Sequence, residues 1–212
     1  MKIDKTDMIN SILESISRIH HIKTEDIPNI DLYMDQVTTF IETQLASTKR
    51  YPEDKILTKT MINNYTKNNL LPSPEKKRYS KEHILLLIFI YYFKNILSIS
   101  DIQTLLEPVA SKYFQSDSEI NLTSIYNEVF SMKNEQIASL KTDLLKRYQA
   151  AEETFEDADE EDREFLKQFS FICLLSFDVY VKKTLIEQII ETMKPENSPE
   201  SKKKNKEKSP KP

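Results

Sequence analysis

Between Lys49 and His83 the sequence places nine lysines and arginines against four carboxylates, in a chain whose formal net charge is −4. Within that stretch "TKTMINNYTK" supplies Thr58, Lys59, Thr60, Asn63, Asn64 and Lys67, and "EKKRYS" supplies Lys76, Lys77 and Arg78. Hydroxyl, amide and ammonium groups on the polar face of a helix hydrogen-bond to base edges and phosphate oxygens. Basic residues on a proline-stiffened loop reach a second stretch of phosphate backbone. A positive patch on an acidic protein orients an anionic partner, whereas indiscriminate attraction to polyanions needs a positive field from the whole chain. The plainer alternative is a solvated loop followed by a polar helix face.

Other chemistries find little to work with. Glycine is absent, where average usage of about 7% would give roughly fifteen. Phosphate-cradling loops, dinucleotide fingerprints and nucleophile elbows all need glycine at positive φ or at close backbone approach. His20 and His21 are adjacent and so point to different helix faces, and His83 stands alone, so the histidines lack the three- or four-residue spacing of a metal site. The nine carboxylates between Glu152 and Glu164 stand against one arginine with no apolar surroundings to shift their pKa, and read as a solvated connector. The expectation is a non-enzymatic protein with no cofactor and no metal. Cys173, in "FSFICLLSF", is expected to be a buried small hydrophobe. "ILLLIFIYYF", Ile84 to Phe93, is about half the length of a membrane span, and the N-terminal residues have no apolar core for export. A cytoplasmic location without membrane contact is expected.

The elements that must hold these residues are helical. Met8, Ile12, Ile16 and Ile19 form one stripe and predict a helix over 7–22. Leu32, Met34, Val37, Phe40, Ile41 and Leu45 predict a second over 31–48. Thr58 or Thr60 caps a short helix to about Lys67, with Asn68 and Asn69 as a left-handed exit in place of glycine. In it, Met61, Ile62 and Tyr65 are expected to face inward. Pro72 and Pro74 make Leu71 to Tyr79 an exposed loop tied down at Leu70 and Tyr79. Ser80 caps a helix from Lys81 to Leu97 that is apolar almost all round, and hence central. A short helix begins near Ser100 and is expected to stop at Pro108. Leu122, Ile125, Val129, Met132, Ile137, Leu140, Leu144 and Tyr148 follow heptad-like steps with one slip, predicting a long helix with a partner seam. A last helix spans about Asp162 to Met193. The tail from Pro195, with six lysines and four prolines, is expected to be disordered.

Thr58 to Leu106 resembles the DNA-binding half of MerR-type regulators. The resemblance is carried by "NNY" at Asn63 to Tyr65, "LLP" at Leu70 to Pro72, "KKRYS" at Lys76 to Ser80, and "SISDIQTLL" from Ser98. It is closest to an uncharacterised bacterial branch, a domain of unknown function, whose hallmark is "TKTMINNY" preceded by "DLYMDQVTTFI". The match covers about a quarter of the chain, or half with the preceding helix. It implies that Thr58 to Lys67 is a recognition helix, that Asp31 to Leu45 supports it, and that Lys76 to Arg78 form a wing. Asn63 and Asn64 stand where the family has an arginine, and the wing has no glycine, so the resemblance carries the fold and not the base contacts.

The expected architecture is all-α: a MerR-like helix-turn-helix domain over 1–108, a helical dimerisation or interaction region over 109–194, and a tail over 195–212. The expected function is a transcription regulator that binds duplex DNA as a homodimer, since a two-fold pair doubles the few base contacts one module makes. Leu122 to Tyr148 is the candidate for the dimer seam, or folds back on the last helix of the same chain. Two alternatives stand beside this. One is a helical protein-interaction module using the Asp162 to Met193 face, which would require an exposed apolar patch of several hundred Å². The other is a regulator with an effector site among the C-terminal helices.

Overall fold

The computed structural model describes residue 9, residues 11–14 and residues 21–194, the side chains of 133–138 excepted. Along the chain run β1 (Leu32–Tyr33), α1 (Met34–Gln44), a 3-10 turn (Ala46–Thr48), α2 (Lys59–Lys67), β2 (Arg78–Tyr79), α3 (Lys81–Phe93), α4 (Ile99–Tyr113), α5 (Leu122–Ser131), α6 (Lys133–Glu152) and α7 (Glu160–Met193). The fold is mostly helical, with one two-stranded antiparallel sheet in which Leu32 faces Tyr79 and Tyr33 faces Arg78.

Helix α3 is the centre because it has no polar side to turn outward: nine consecutive residues, His83 to Tyr91, are buried. Against it pack α4, α5 and β2, while α1 holds α2 and both strands. Tyr126 of α5 is fully buried, and its hydroxyl donates to the Ile22 carbonyl at 2.6 Å, which ties the start of the core to its far side. An aromatic cluster of Phe89, Tyr92, Tyr126 and Phe130 fills the space between α3 and α5.

Several boundaries differ from the sequence expectation. Asp31 to Tyr33 are not helical: pairing with β2 claims them, and α1 starts at Met34, with Gln36 Oε1 accepting from the Tyr33 N–H (2.8 Å). Helix α4 continues through Pro108 to Tyr113. A mid-helix proline costs roughly 3 kcal/mol, but the far end of α4 is anchored. Phe114 packs edge-on against His83, and the Gln115 N–H donates to the Glu82 carboxylate at 2.6 Å. The single long helix expected over Leu122 to Tyr148 is two, divided at Met132, where the heptad pattern slips. Leu122 and Tyr126 are buried in the core, whereas Tyr148 packs edge-on against Phe171 at 5.5 Å, so α6 folds back on α7 of the same chain. Ile137 lies outside the described side chains.

Of the expected N-terminal helix, residues 11–14 are helical and 21–22 are not; most of the remainder lies outside the described residues. Ile9 and Leu13 are buried and Ile12 is exposed, so the inward stripe is rotated from the one anticipated. Cys173 is exposed on α7 and is not a buried hydrophobe. The tail from Pro195 also lies outside the described residues. Among the described residues, no helix is long and apolar enough to cross a membrane.

Candidate nucleic-acid interface

Helix α2 starts where Thr58, in extended conformation, turns its hydroxyl back to accept from the Met61 N–H (3.2 Å), satisfying one of the donors a helix start leaves unpaired. It ends at Lys67 with a left-handed Asn69 (φ 56°): the Leu70 N–H reaches the Tyr65 carbonyl and the Asn69 N–H reaches that of Thr66. This pair of bonds is a Schellman closure, and its usual apolar contact is supplied by the buried Leu70 and Tyr65. The left-handed exit expected at Asn68 and Asn69 is thus made by Asn69.

Ile62 and Tyr65 face the core, three residues apart, and fix the orientation of the helix. Lys59, Thr60, Asn63, Asn64 and Lys67 are exposed as a consequence, and Thr58 is half-buried. Met61 is exposed, contrary to expectation. At about 100° per residue it lies about 100° from Ile62 but only about 40° from Tyr65, at the edge of the inward stripe, and a nine-residue helix with two buried anchors leaves most of its circumference outside. Apolar character and the four-residue step to Tyr65 both put Met61 inside; only the packing around α2 leaves it out.

The loop from Leu71 is not irregular throughout. Glu75 to Arg78 form a two-residue turn closed by the Arg78 N–H on the Glu75 carbonyl (2.8 Å), with Lys76 at φ 49° and Lys77 at φ 63°. Two successive positive φ values are the geometry usually given to Asn-Gly. Here both posts are lysines, whose side chains are exposed. Arg78 then enters β2, with its side chain exposed, and Tyr79 is buried.

The register of the small sheet brings these two groups to one end of α1. Arg78 pairs with Tyr33, immediately before α1. Two residues on, Asp35 in the first turn of α1 forms an ion pair with Lys59 at the start of α2. The Lys76 to Arg78 turn and the first turn of α2 therefore flank the same helix start, and Asn63, Asn64 and Lys67 run away from it along about 12 Å of helix. The exposed Tyr33 belongs to this surface too; only the strand register reveals it. Between α1 and the start of α2 lies a groove lined by Thr38, Thr39, Glu42, Lys55, Leu57, Thr58 and Lys59. Fourteen residues, 45–58, join α1 to α2, where a tight helix-turn-helix uses a three- or four-residue turn. They are pinned: Glu42 pairs with Lys49 and accepts from the Ile56 N–H, and Lys94 donates to the Ile56 carbonyl at 2.6 Å. The Lys49 bond holds the Glu42 carboxyl below its usual range, and burial holds the Lys94 ammonium below its own.

Beneath the turn sits His83. Its Nδ1 accepts from the Ser80 N–H (3.0 Å) and lies 2.9 Å from the Ser80 hydroxyl, while its ring is held edge-on between Tyr79 and Phe114. Ser80 caps α3 as expected, with His83 as the reciprocal partner. Burial lowers the imidazole pKa to about 4; the Pro72 and Ser73 carbonyls and Asp31 oppose that shift without cancelling it. The ring is therefore neutral at pH 7 and packs as an aromatic wedge between Tyr79 and Phe114. Among the described residues, no group of three or more histidines, cysteines or carboxylates is placed to hold a metal ion.

A family model described as "Domain of unknown function (DUF1836)" matches residues 22–129, just over half of the 212 residues. The matched span begins at the residue whose carbonyl holds Tyr126 and ends within α5, so it encloses the whole surface described above and stops short of α6 and α7. No curated protein and no solved structure matches the chain.

Proposed function

We propose that this chain, which belongs to the DUF1836 family, is a MerR-like transcription regulator that binds duplex DNA as a homodimer in the bacterial cytoplasm. The observation that carries the reading is the meeting of two exposed polar surfaces at the start of α1: the outer face of α2 and the Lys76, Lys77, Arg78 turn. A helix of this length enters a major groove about 12 Å wide. Asn63 and Asn64 there present amides to base edges, Thr58, Lys59, Thr60 and Lys67 reach phosphates, and the turn grips the backbone alongside. The Lys59–Asp35 pair is exposed on both sides and contributes under about 1 kcal/mol, so Lys59 exchanges it for a phosphate at little cost. No bond is made or broken in this reading, which needs neither cofactor nor metal.

Retention of genomic fragments on the purified protein at near-physiological salt tests the proposal, with Lys76→Glu/Lys77→Glu/Arg78→Glu alongside. A shared palindromic motif that the variant loses supports it. Equal enrichment by both proteins, or none by a folded wild type, rejects it. One observation favours a second reading, a protein-interaction module: the outer side of α7 exposes a run of large apolar residues.

A further inference from the structure

Lys94, one residue past the end of α3, carries an ammonium that the fold half-buries without a counter-charge. Among the described residues its Nζ donates to the Ile56 carbonyl (2.6 Å) and lies 5.2 Å from the centre of the Tyr91 ring, and it forms no ion pair. Two of its three N–H donors are left over. Burial disfavours the charged form, and no carboxylate offsets it. An anion arriving at such a cation restores part of what desolvation removed.

The residue is not alone. Lys94 lines a cleft of about 310 Å³ between the 45–58 segment and the end of α3, and Lys49, Arg50 and Lys55 line it too, against one carboxylate, Asp54. Asp54 is turned into its own loop, where it accepts from the Tyr51 N–H at 3.0 Å, and Glu42, at the edge, pairs with Lys49. Four cations less these two carboxylates leave a local balance of +2 in a chain whose net charge is −4. The walls are fastened. The Thr48 hydroxyl donates to the Leu45 carbonyl (2.6 Å) and accepts from the Tyr91 hydroxyl, and Lys49 donates to the Pro52 carbonyl (3.3 Å), so the cleft is held in shape before anything binds.

We propose that this cleft binds a small phosphate monoester, whose dianion Lys94 and Lys55 hold, with Lys49 and Arg50 alongside. Charge, donors and size select that class. A phosphate monoester carries about −1.5 to −2 near neutral pH, which the local balance matches. Ammonium and guanidinium N–H groups are the donors that phosphate oxygens accept most strongly. The volume stands at the small end of ligand sites, which run from about 300 to 1,000 Å³, so it admits a metabolite-sized molecule. Lys55 also lines the groove beside the start of α2, so an occupant of the cleft binds the segment that leads into that helix.

This site goes beyond the regulator reading and does not rest on it, so its test contains no DNA. Calorimetric titration of the full chain with methyl phosphate, a dianion at about pH 7.5, should show binding at a single site. Dimethyl phosphate, a monoanion of similar size, should bind at least tenfold more weakly. Lys55→Met, at an exposed position outside the core, should weaken methyl phosphate at least tenfold. Lys94→Met, which keeps an apolar stem beside Tyr91, should do the same, with circular dichroism checking that each variant is folded. Lys77→Met, on the Glu75 to Arg78 turn, should bind methyl phosphate as the wild type does. Absence of binding, or binding that Lys55→Met leaves unchanged, would overturn the inference. So would a loss caused by Lys77→Met, which would place the anion on the turn, or equal affinity for the two esters, which would favour a phosphodiester backbone over a small monoester. Failure of the protein to retain genomic DNA would count against the regulator reading alone.

Discussion

His83 shows how one side chain serves the candidate interface without touching a ligand. It closes the start of α3 and fills the slot between Tyr79 and Phe114, and burial holds its pKa at about 4, below the ordinary 6.5. Between those two values the unfolded chain binds the proton and the folded one does not. Stability is therefore full above about pH 6.5 and falls as the pH is lowered toward 4, by up to about 3 kcal/mol. Urea titrations across that range should show the decline, and His83→Phe, which keeps a ring in the slot, should flatten it. In the proposed DNA complex, the amides and ammonium groups of the candidate interface divide the work. Asn64→Ala should cost about 1–3 kcal/mol of discrimination between the preferred site and a single-base variant, read from competition binding. It should leave the salt dependence unchanged, because a neutral side chain releases no counterion.

The element with the least ordinary geometry is the turn at Glu75 to Arg78. Left-handed conformation costs a non-glycine residue roughly 1–2 kcal/mol, and here two lysines in succession adopt it. The surrounding structure enforces it: Leu70 and Leu71 are buried before the turn, and Tyr79 is buried after it in a strand paired with β1. Lys76→Asn with Lys77→Gly, the preferred pair for such a turn, should raise unfolding stability by about 1 kcal/mol in denaturant titrations. Under the proposed function the same variant removes two charges that reach phosphates, so its DNA affinity should fall on every sequence alike and the slope of log affinity against log salt should drop by about 2. A more stable protein that binds more weakly would separate the turn's conformation from its charge. Unchanged binding would remove Lys76 and Lys77 from the interface.

Across the whole molecule, the DUF1836 match ends within α5, and the exposed apolar residues of α7 lie beyond it. A two-fold dimer doubles the contacts on a palindrome and adds none on an isolated half-site. Under the homodimer proposal the wild type should therefore bind a palindrome at least tenfold more tightly than an isolated half-site in electrophoretic shift measurements. Equal affinity for the two sites would reject the homodimer.

Local physics made much of this legible in the sequence. A run apolar on every side, Ile84 to Phe93, has no stable place except the centre of a fold, and it lies there. Thr58 and Ser80 were readable as caps because a hydroxyl before a helical run satisfies its first donors, and Asn69 as an exit because it tolerates left-handed backbone. The outward polar face of α2 followed from the same periodicity, apart from Met61. Tertiary contact decided the rest. Asp31 to Tyr33 had helical spacing, yet pairing with Arg78 and Tyr79, more than forty residues away, made them extended. Two lysines turn a corner that composition had seemed to reserve for glycine, because distant burial holds both ends of the turn. His83 reads as a lone histidine until Phe114 arrives from the far end of α4. Helix α6 returns to α7 because packing across the break at Met132 outweighs continuing the heptads. Cys173 is outside because periodicity tells which residues share a side of a helix, but only the assembled neighbours determine which side is covered.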